Sequence, residues 1–217
     1  PLLIAIDQEG GNVIRLRHAP PLPSALAIAQ TKNPQIAEKA GRATGTLLRT
    51  LGINTNLAPV VDVSDPSTDT FLGTRSFGND PGLVARLSSH FALGLQAERV
   101  MPIAKHFPGH GDASGDSHFV AASSPLTRDE VMSKDLAPYL ALSAALEKPW
   151  GIMLAHVSFP KIDPSKMPAT FSSVIVQGLL RKELGDDVLV VTDDIQMAGA
   201  STESDIGNRS VRAIEAG

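Results

Sequence analysis

The 217-residue chain is 42% hydrophobic and 19% charged, and 19 basic against 23 acidic side chains give it a formal charge of -4 at neutral pH. Mild acidity without a block of like charges argues against a nucleic-acid or anionic-membrane partner, which needs clustered Lys and Arg. The absence of Cys excludes a disulfide framework, a thiolate nucleophile and a Cys-ligated metal, and no apolar run approaches the roughly 20 residues that span a bilayer.

Five short apolar runs, rich in β-branched residues, read as strands: residues 2–6, 56–61, 101–104, 151–155 and 188–191. Helical segments alternate with them. Asn33-Pro34 supplies a cap and a first-turn proline for a helix carrying Ile36, Ala40, Ala43, Leu47 and Leu51, which Gly52 stops. Asp80-Pro81 opens a second. Thr127 with Glu130 is a capping box, starting a helix toward Glu147 that Pro138 kinks or breaks. Ser172 caps another, closed by Gly185. Strands alternating with helices predict a parallel sheet covered on both faces.

The strand ends are more informative than the strands. Four runs lead directly into Asp7, Asp62, Lys105-His106 and His156, and the fifth reaches Asp193-Asp194 one residue later. Ionisable groups at the C-terminal ends of several parallel strands are what the rim of a (β/α)8 TIM-barrel provides; a doubly wound sheet concentrates its site at one crevice. The fold expected is therefore α/β of the TIM-barrel type, incomplete, with about five of eight strands in residues 1–217. The sequence opens at Pro1 without Met and stops where another strand is due. The chain is accordingly expected to be a single catalytic barrel domain truncated at both ends, with activity that is poor if these residues are the whole molecule.

The densest polar segment is Lys105-His-Phe-Pro-Gly-His-Gly111 and its continuation to Asp116-Ser-His118, a glycine-rich stretch after a strand. One reading is a metal site built from His106, His110, Asp112, Asp116 and His118, although ligands on one loop lack preorganisation. The other is an Asp-His dyad, with Asp116 orienting His118 for proton shuttling. Alternation along the last strand sends Asp193 and Asp194 in different directions, which favours Asp193 as the reactive group and leaves Asp194 to cap the next helix. Asp7 is placed to accept hydrogen bonds from sugar hydroxyls and Arg15 and Arg75 to bind by their forks, against the plainer reading of two surface charges. Lys105-His106 fits a loop anchor equally well, and His156 a structural histidine. Phe107, Phe119 and Trp150 read as packing residues.

Taken together, Ala5-Ile-Asp-Gln-Glu-Gly-Gly11, Asn56-Leu-Ala-Pro-Val-Val-Asp62, Arg75-Ser-Phe, the Lys105–Gly111 motif with Asp116-Ser-His118, and Thr192-Asp-Asp-Ile-Gln-Met197 resemble the β-N-acetylglucosaminidases of glycoside hydrolase family three. The resemblance implies a retaining mechanism with Asp193 as nucleophile and His118, paired with Asp116, as acid and base. It implies that Asp7, Arg15, Arg75, Lys105 and His106 bind the terminal N-acetylglucosamine without metal or cofactor. The implied partner is a small carbohydrate, a muropeptide or similar peptidoglycan fragment, and the Asp116–His118 loop is expected to close over bound sugar. An N-acetylglucosaminide phosphorylase, substrate-assisted hydrolysis, a metal hydrolase and an inactive sugar-binding barrel are the alternatives. A cytoplasmic location is favoured and export left open.

Overall fold

The computed structural model describes residues 2–17, 19–67, 72–115, 117, 121–201 and 205–217. In chain order its strands are β1 (Ala5–Ile6), β2 (Gln8–Gly10), β3 (Val13–Ile14), β4 (Thr55–Asn56), β5 (Met101–Phe107), β6 (Ala122–Ser123), β7 (Gly151–Leu154), β8 (Val157–Ser158) and β9 (Leu189–Thr192). One five-stranded parallel sheet runs β1-β4-β5-β7-β9. Each strand joins beside the one before it, with no reversal of order. That is the wall of a (β/α) barrel, whereas a doubly wound sheet reverses at a switch point.

Two runs form shorter strands than their apolar length suggests. Residues 2–4 precede β1 because Asn54 takes their backbone groups: its Oδ1 accepts from Ile4 N–H at 2.8 Å and its Nδ2 donates to the Leu2 carbonyl at 2.8 Å. Of the second run, 56–61, only Asn56 is strand, joined in β4 by Thr55 before it. Pro59 has no N–H to donate, yet the carbonyls of Ala58 and Pro59 still accept from Ile103 and Lys105, each at 3.1 Å.

The expectation that the sheet is covered on both faces is corrected. The helices α1 (Ala25–Gln30), α2 (Pro34–Thr50), α3 (Pro81–Ala97), α4 (Arg128–Ser133) and α5 (Leu136–Ala145) send side chains such as Leu48, Leu87, Val131 and Leu142 into one core, shared with Ile152 and Leu154 of β7. The alternate strand residues Met101, Ile103 and Met153 meet Leu57, Leu189 and Val191 in a separate, smaller cluster built without helices. This second face is the barrel interior, and period-two alternation continues it to Lys105 and Asp193 at the rim.

Local signals explain the helices. Asn33 caps α2 by accepting from Gln35 N–H, Asp80 caps α3 through Gly82 and Leu83 N–H, and both have proline in the first turn. Thr127 and Glu130 make the reciprocal capping box of α4. The break before α5 falls at Lys134-Asp135, and Pro138 lies in the first turn of the new helix. Glycines let α2 and α3 touch by backbone: a Cβ on Gly94 would lie 2.3 Å from the Glu38 carbonyl oxygen. Beyond them, Ser172 caps α6 (Ser173–Ile175), a π-helical stretch Val176–Arg181 leads into α7 (Lys182–Leu184), and α8 (Ile206–Ala216) follows β9.

Candidate active site

The chain leaves β1 into the β2–β3 hairpin, and buried polar contacts fold that hairpin back over the barrel mouth. Asn56 of β4 brackets Gln8, accepting its N–H and donating to its carbonyl, both at 3.0 Å. The Gln8 side chain accepts from the N–H groups of Arg15 and Leu16 at 3.0 and 3.2 Å. With Gln8 turned inward, alternation directs Asp7 and Glu9 to the other side, where both line a cleft of about 880 Å³.

Lys105 and His106 are adjacent, so a regular strand would point them to opposite faces. The β5–β7 register shifts between Lys105 and Phe107, a bulge that brings both side chains to the cleft. Lys105 Nζ donates to Asp7 Oδ1 at 2.8 Å and pairs with Glu9 Oε1 at 2.7 Å. Arg75 grips Glu9 with its fork, Nε to Oε2 at 2.8 Å and Nη2 to Oε1 at 2.9 Å. Burial works against charge on Glu9, but Lys105 and Arg75 outweigh it and hold its carboxyl down at about 2. Arg75 is also desolvated, and Glu9 more than restores its affinity for the proton. Arg75 is therefore a largely buried partner of Glu9, and the surface-charge reading fails for it. Arg15 stands at the exposed rim, 3.3 Å from Asp7 Oδ2.

On the other side of Lys105 runs a line of three ionisable groups. The carboxylate of Asp62, sealed from solvent, accepts from His106 Nδ1 at 2.7 Å, from His110 N–H at 2.8 Å and from His106 N–H at 3.2 Å. His106 Nε2 lies 4.0 Å from Asp193 Oδ2. Asp193 Oδ1 accepts from Asp194 N–H at 2.8 Å. Burial raises the Asp193 carboxyl, and His106, the Asp194 amide, Lys105 and His156 together bring it below the usual carboxylate range. Asp193 is thus an ionised, half-buried carboxylate at the end of β9. The carboxylate of Asp194 instead accepts from Gln196 N–H at 2.9 Å and caps the following turn, not a helix.

His156 is held at both ring nitrogens, by Thr170 Oγ1 at 2.8 Å and by the Asp194 carbonyl at 3.1 Å, and burial lowers its pKa. It braces the Asp193–Asp194 segment. Phe107 and Trp150 are packed in the core. Asp116, His118 and Phe119 lie outside the described residues. Between the first two, Ser117 is buried, bonded by its Oγ to His110 Nε2 at 3.0 Å and by its carbonyl to Gly199 N–H at 2.8 Å. Among the described residues no three His, Asp or Glu side chains gather as a metal site.

The structure thus brings Asp7, Arg15, Arg75, Lys105, His106 and Asp193 to one cleft. Sequence reasoning did not single out Glu9, which pairs with a partner 66 positions away. Asp62 was visible as a strand-end carboxylate but not as the support of His106. The signal for both was the cost of burying a carboxylate without a partner, which requires a cation or N–H donors nearby.

The whole chain, residues 1–217, matches the glycosyl hydrolase family 3 N terminal domain. It is 37% identical over 222 residues to a β-hexosaminidase of Idiomarina loihiensis, covering all of this chain and 65% of that protein. The glycoside hydrolase family 3 β-N-acetylglucosaminidase of Paenibacillus sp. str. FPU-7 superposes with a TM-score of 0.94 at 42% identity, over all of this chain and 41% of that one. NagZ from Neisseria gonorrhoeae, solved with N-trifluoroacetyl-D-glucosamine, gives 0.88 at 34% identity, over all of this chain and 63% of that one. The chain therefore spans less than two thirds of the length of these relatives. From its strand order to its cleft-lining motifs, this chain belongs to glycosyl hydrolase family 3.

Proposed function

We propose that the protein is a retaining exo-glycosidase that removes terminal β-linked N-acetylglucosamine from small glycosides of the peptidoglycan-fragment class. The observation that carries this reading is Asp193, an ionised carboxylate at the end of a barrel strand, facing a polar cleft of about 880 Å³. In the first step an Asp193 oxygen attacks the anomeric carbon, the bond to the leaving oxygen breaks, and a glycosyl ester forms. His118, oriented by Asp116, protonates the leaving oxygen. In the second step water adds to the anomeric carbon while His118 removes its proton, and Asp193 leaves as carboxylate. Histidine replaces the second carboxylate of the usual pair, and its ordinary pKa suits it to alternate between acid and base near neutrality.

The surrounding groups fit a sugar. Lys105 uses two N–H donors on Asp7 and Glu9 and has three in all, which leaves one for a hydroxyl. Asp7, partly exposed beside it, retains lone pairs for hydroxyl donors, and Arg15 at the rim completes a polar collar with His106 and Arg75.

The test is chromophore release from 4-nitrophenyl N-acetyl-β-glucosaminide by this protein and its Asp193→Asn variant, with and without chelator and phosphate. Release that is indifferent to both additives and lost in the variant is expected. A fluorinated slow substrate should leave a sugar on the peptide containing Asp193. Turnover that survives Asp193→Asn, or turnover without any such adduct, would overturn the reading.

A further inference from the structure

The Asp62–His106–Asp193 line connects a buried carboxylate to the proposed nucleophile through one imidazole. Asp62 is fully buried and does not line the cleft. It therefore has no path to a substrate, yet every described hydrogen bond to its carboxylate comes from His106 or His110. One oxygen serves backbone N–H groups, at 2.8 Å from His110 and 3.2 Å from His106. The other receives the ring Nδ1 at 2.7 Å and shares the His106 N–H at 3.3 Å. Backbone donors alone would be satisfied by an amide oxygen; the short ring contact is what requires a second acceptor.

We propose that Asp62 is the positioning residue of the nucleophile: by accepting from Nδ1 it sets the tautomer and rotation of His106, so that Nε2 is presented to Asp193. This assignment rests on the glycosidase reading of Asp193. A carboxylate that fixes the near nitrogen of an imidazole determines what its far nitrogen can do, the same logic by which a buried Asp orients the histidine of a serine-protease triad. Here the far nitrogen faces a carboxylate that must stay ionised to attack. The titratable groups around Asp193 are His106, Lys105, His156 and Arg75, and those around Asp62 are His106, His110, Arg75, Asp135 at the N-cap of α5 and Tyr139 within it.

Asp62→Asn separates positioning from packing. Keeping its oxygen for the two backbone N–H groups, the amide turns its NH2 to His106 Nδ1. That nitrogen must then accept, which moves the proton to Nε2 and reverses the tautomer that Asp62 sets. The expected result is a loss in kcat/KM of roughly 10²- to 10³-fold. The acidic limb of the rate profile should also move, because His106 is the strongest of the influences that hold the Asp193 carboxyl down and its ring is now set the other way. In a His106→Asn background the same change should add little further loss, since its effect passes through the ring. Equal losses in both backgrounds, or an Asp62→Asn enzyme within threefold of wild type with an unmoved limb, would overturn the assignment.

Ring 15N chemical shifts of His106 in the wild-type protein test the proposal without a variant. A protonated, hydrogen-bonded Nδ1 is expected, and an Nδ1 that only accepts would refute it even if Asp62→Asn fails to fold. Turnover that survives Asp193→Asn in a protein showing the expected shift would instead count against the glycosidase reading, so the two failures are distinct.

Discussion

Glu9→Gln tests the electrostatic account of the cleft most directly. Glu9 carries one negative charge between Lys105 and Arg75, at 2.7 and 2.8 Å, with all three side chains largely buried. Removing one member of a buried ion pair typically costs about 3–5 kcal/mol because the other stays desolvated. Proton linkage gives a second estimate. The carboxyl falls from 4.5 to about 2 on folding, which corresponds to about 3 kcal/mol of stability at neutral pH. A depressed carboxylate pKa means this contribution is complete above 4.5 and is lost as pH falls from 4.5 through 2. The same linkage leaves about 1.5 kcal/mol at pH 3. The single tryptophan, Trp150, is buried in the core and reports unfolding by fluorescence. Urea titrations should place the variant about 3 kcal/mol below wild type at pH 7, with the gap roughly halved at pH 3. Other acidic groups titrate in both proteins and cancel to first order. A gap under about 1 kcal/mol at pH 7, or one that does not narrow in acid, would show that Glu9 is not held ionised by its two cations.

Asp135 should behave in the opposite sense. Burial raises its carboxyl to about 8, with Asp112 and Asp62 adding to the shift and Lys134 opposing it, and its buried Oδ1 has no hydrogen-bond partner among the described residues. A raised carboxyl pKa means stability is greatest below 3.8 and declines as pH rises toward 8. Asp135→Asn should therefore melt at higher temperature than wild type at pH 8, with the advantage fading toward pH 4; a difference independent of pH would reject this. Gly94→Ala should destabilise by about 1–3 kcal/mol through overpacking of α2 on α3, because the new Cβ meets backbone at 2.3 Å. Gly178→Ala, with nothing within 4 Å of its Cβ, should be neutral or stabilising by up to about 1 kcal/mol. Similar chemical-denaturation midpoints for these two variants would refute the steric account.

The parts of the fold that could be read in the sequence are those written in local chemistry. Asn33, Asp80 and Thr127 announce helix starts because their side chains satisfy N–H groups two or three residues away. Strand existence was legible from apolar runs, but strand length was not, because a ladder needs a partner: residues 2–4 are apolar yet bonded to Asn54, some 50 positions on. The site divides in the same way. Asp7, Lys105, His106 and Asp193 stand at strand ends, and parallel strands of one sheet deliver their ends to one rim. Glu9 owes its place to the folded-back β2–β3 hairpin, and His106 owes its direction to a bulge. Neither leaves a periodic trace in the chain, and both depend on contacts between segments far apart in sequence.

Those long-range contacts decide how the charges of the cleft are shared. Three permanent cations, Arg15, Arg75 and Lys105, line a cleft whose reactive group is proposed to be a carboxylate. A guanidinium or ammonium bonded directly to Asp193 would occupy the lone pairs needed for attack. Asp7 and Glu9 take Lys105 at 2.8 and 2.7 Å, and Glu9 takes the Arg75 fork. Among the described residues, Asp193 takes one hydrogen bond, from the Asp194 amide, with the His106 ring 4.0 Å from its other oxygen. The proposed nucleophile is therefore kept ionised mainly by charges that do not cover it. Glu9 then has two separable effects, on stability through its own ionisation and on reactivity through where it holds Arg75 and Lys105. The second predicts that Glu9→Gln loses activity at pH 7 under conditions where it remains fully folded. Unchanged kcat/KM in that folded variant would mean the cations do not need Glu9 to stay clear of Asp193.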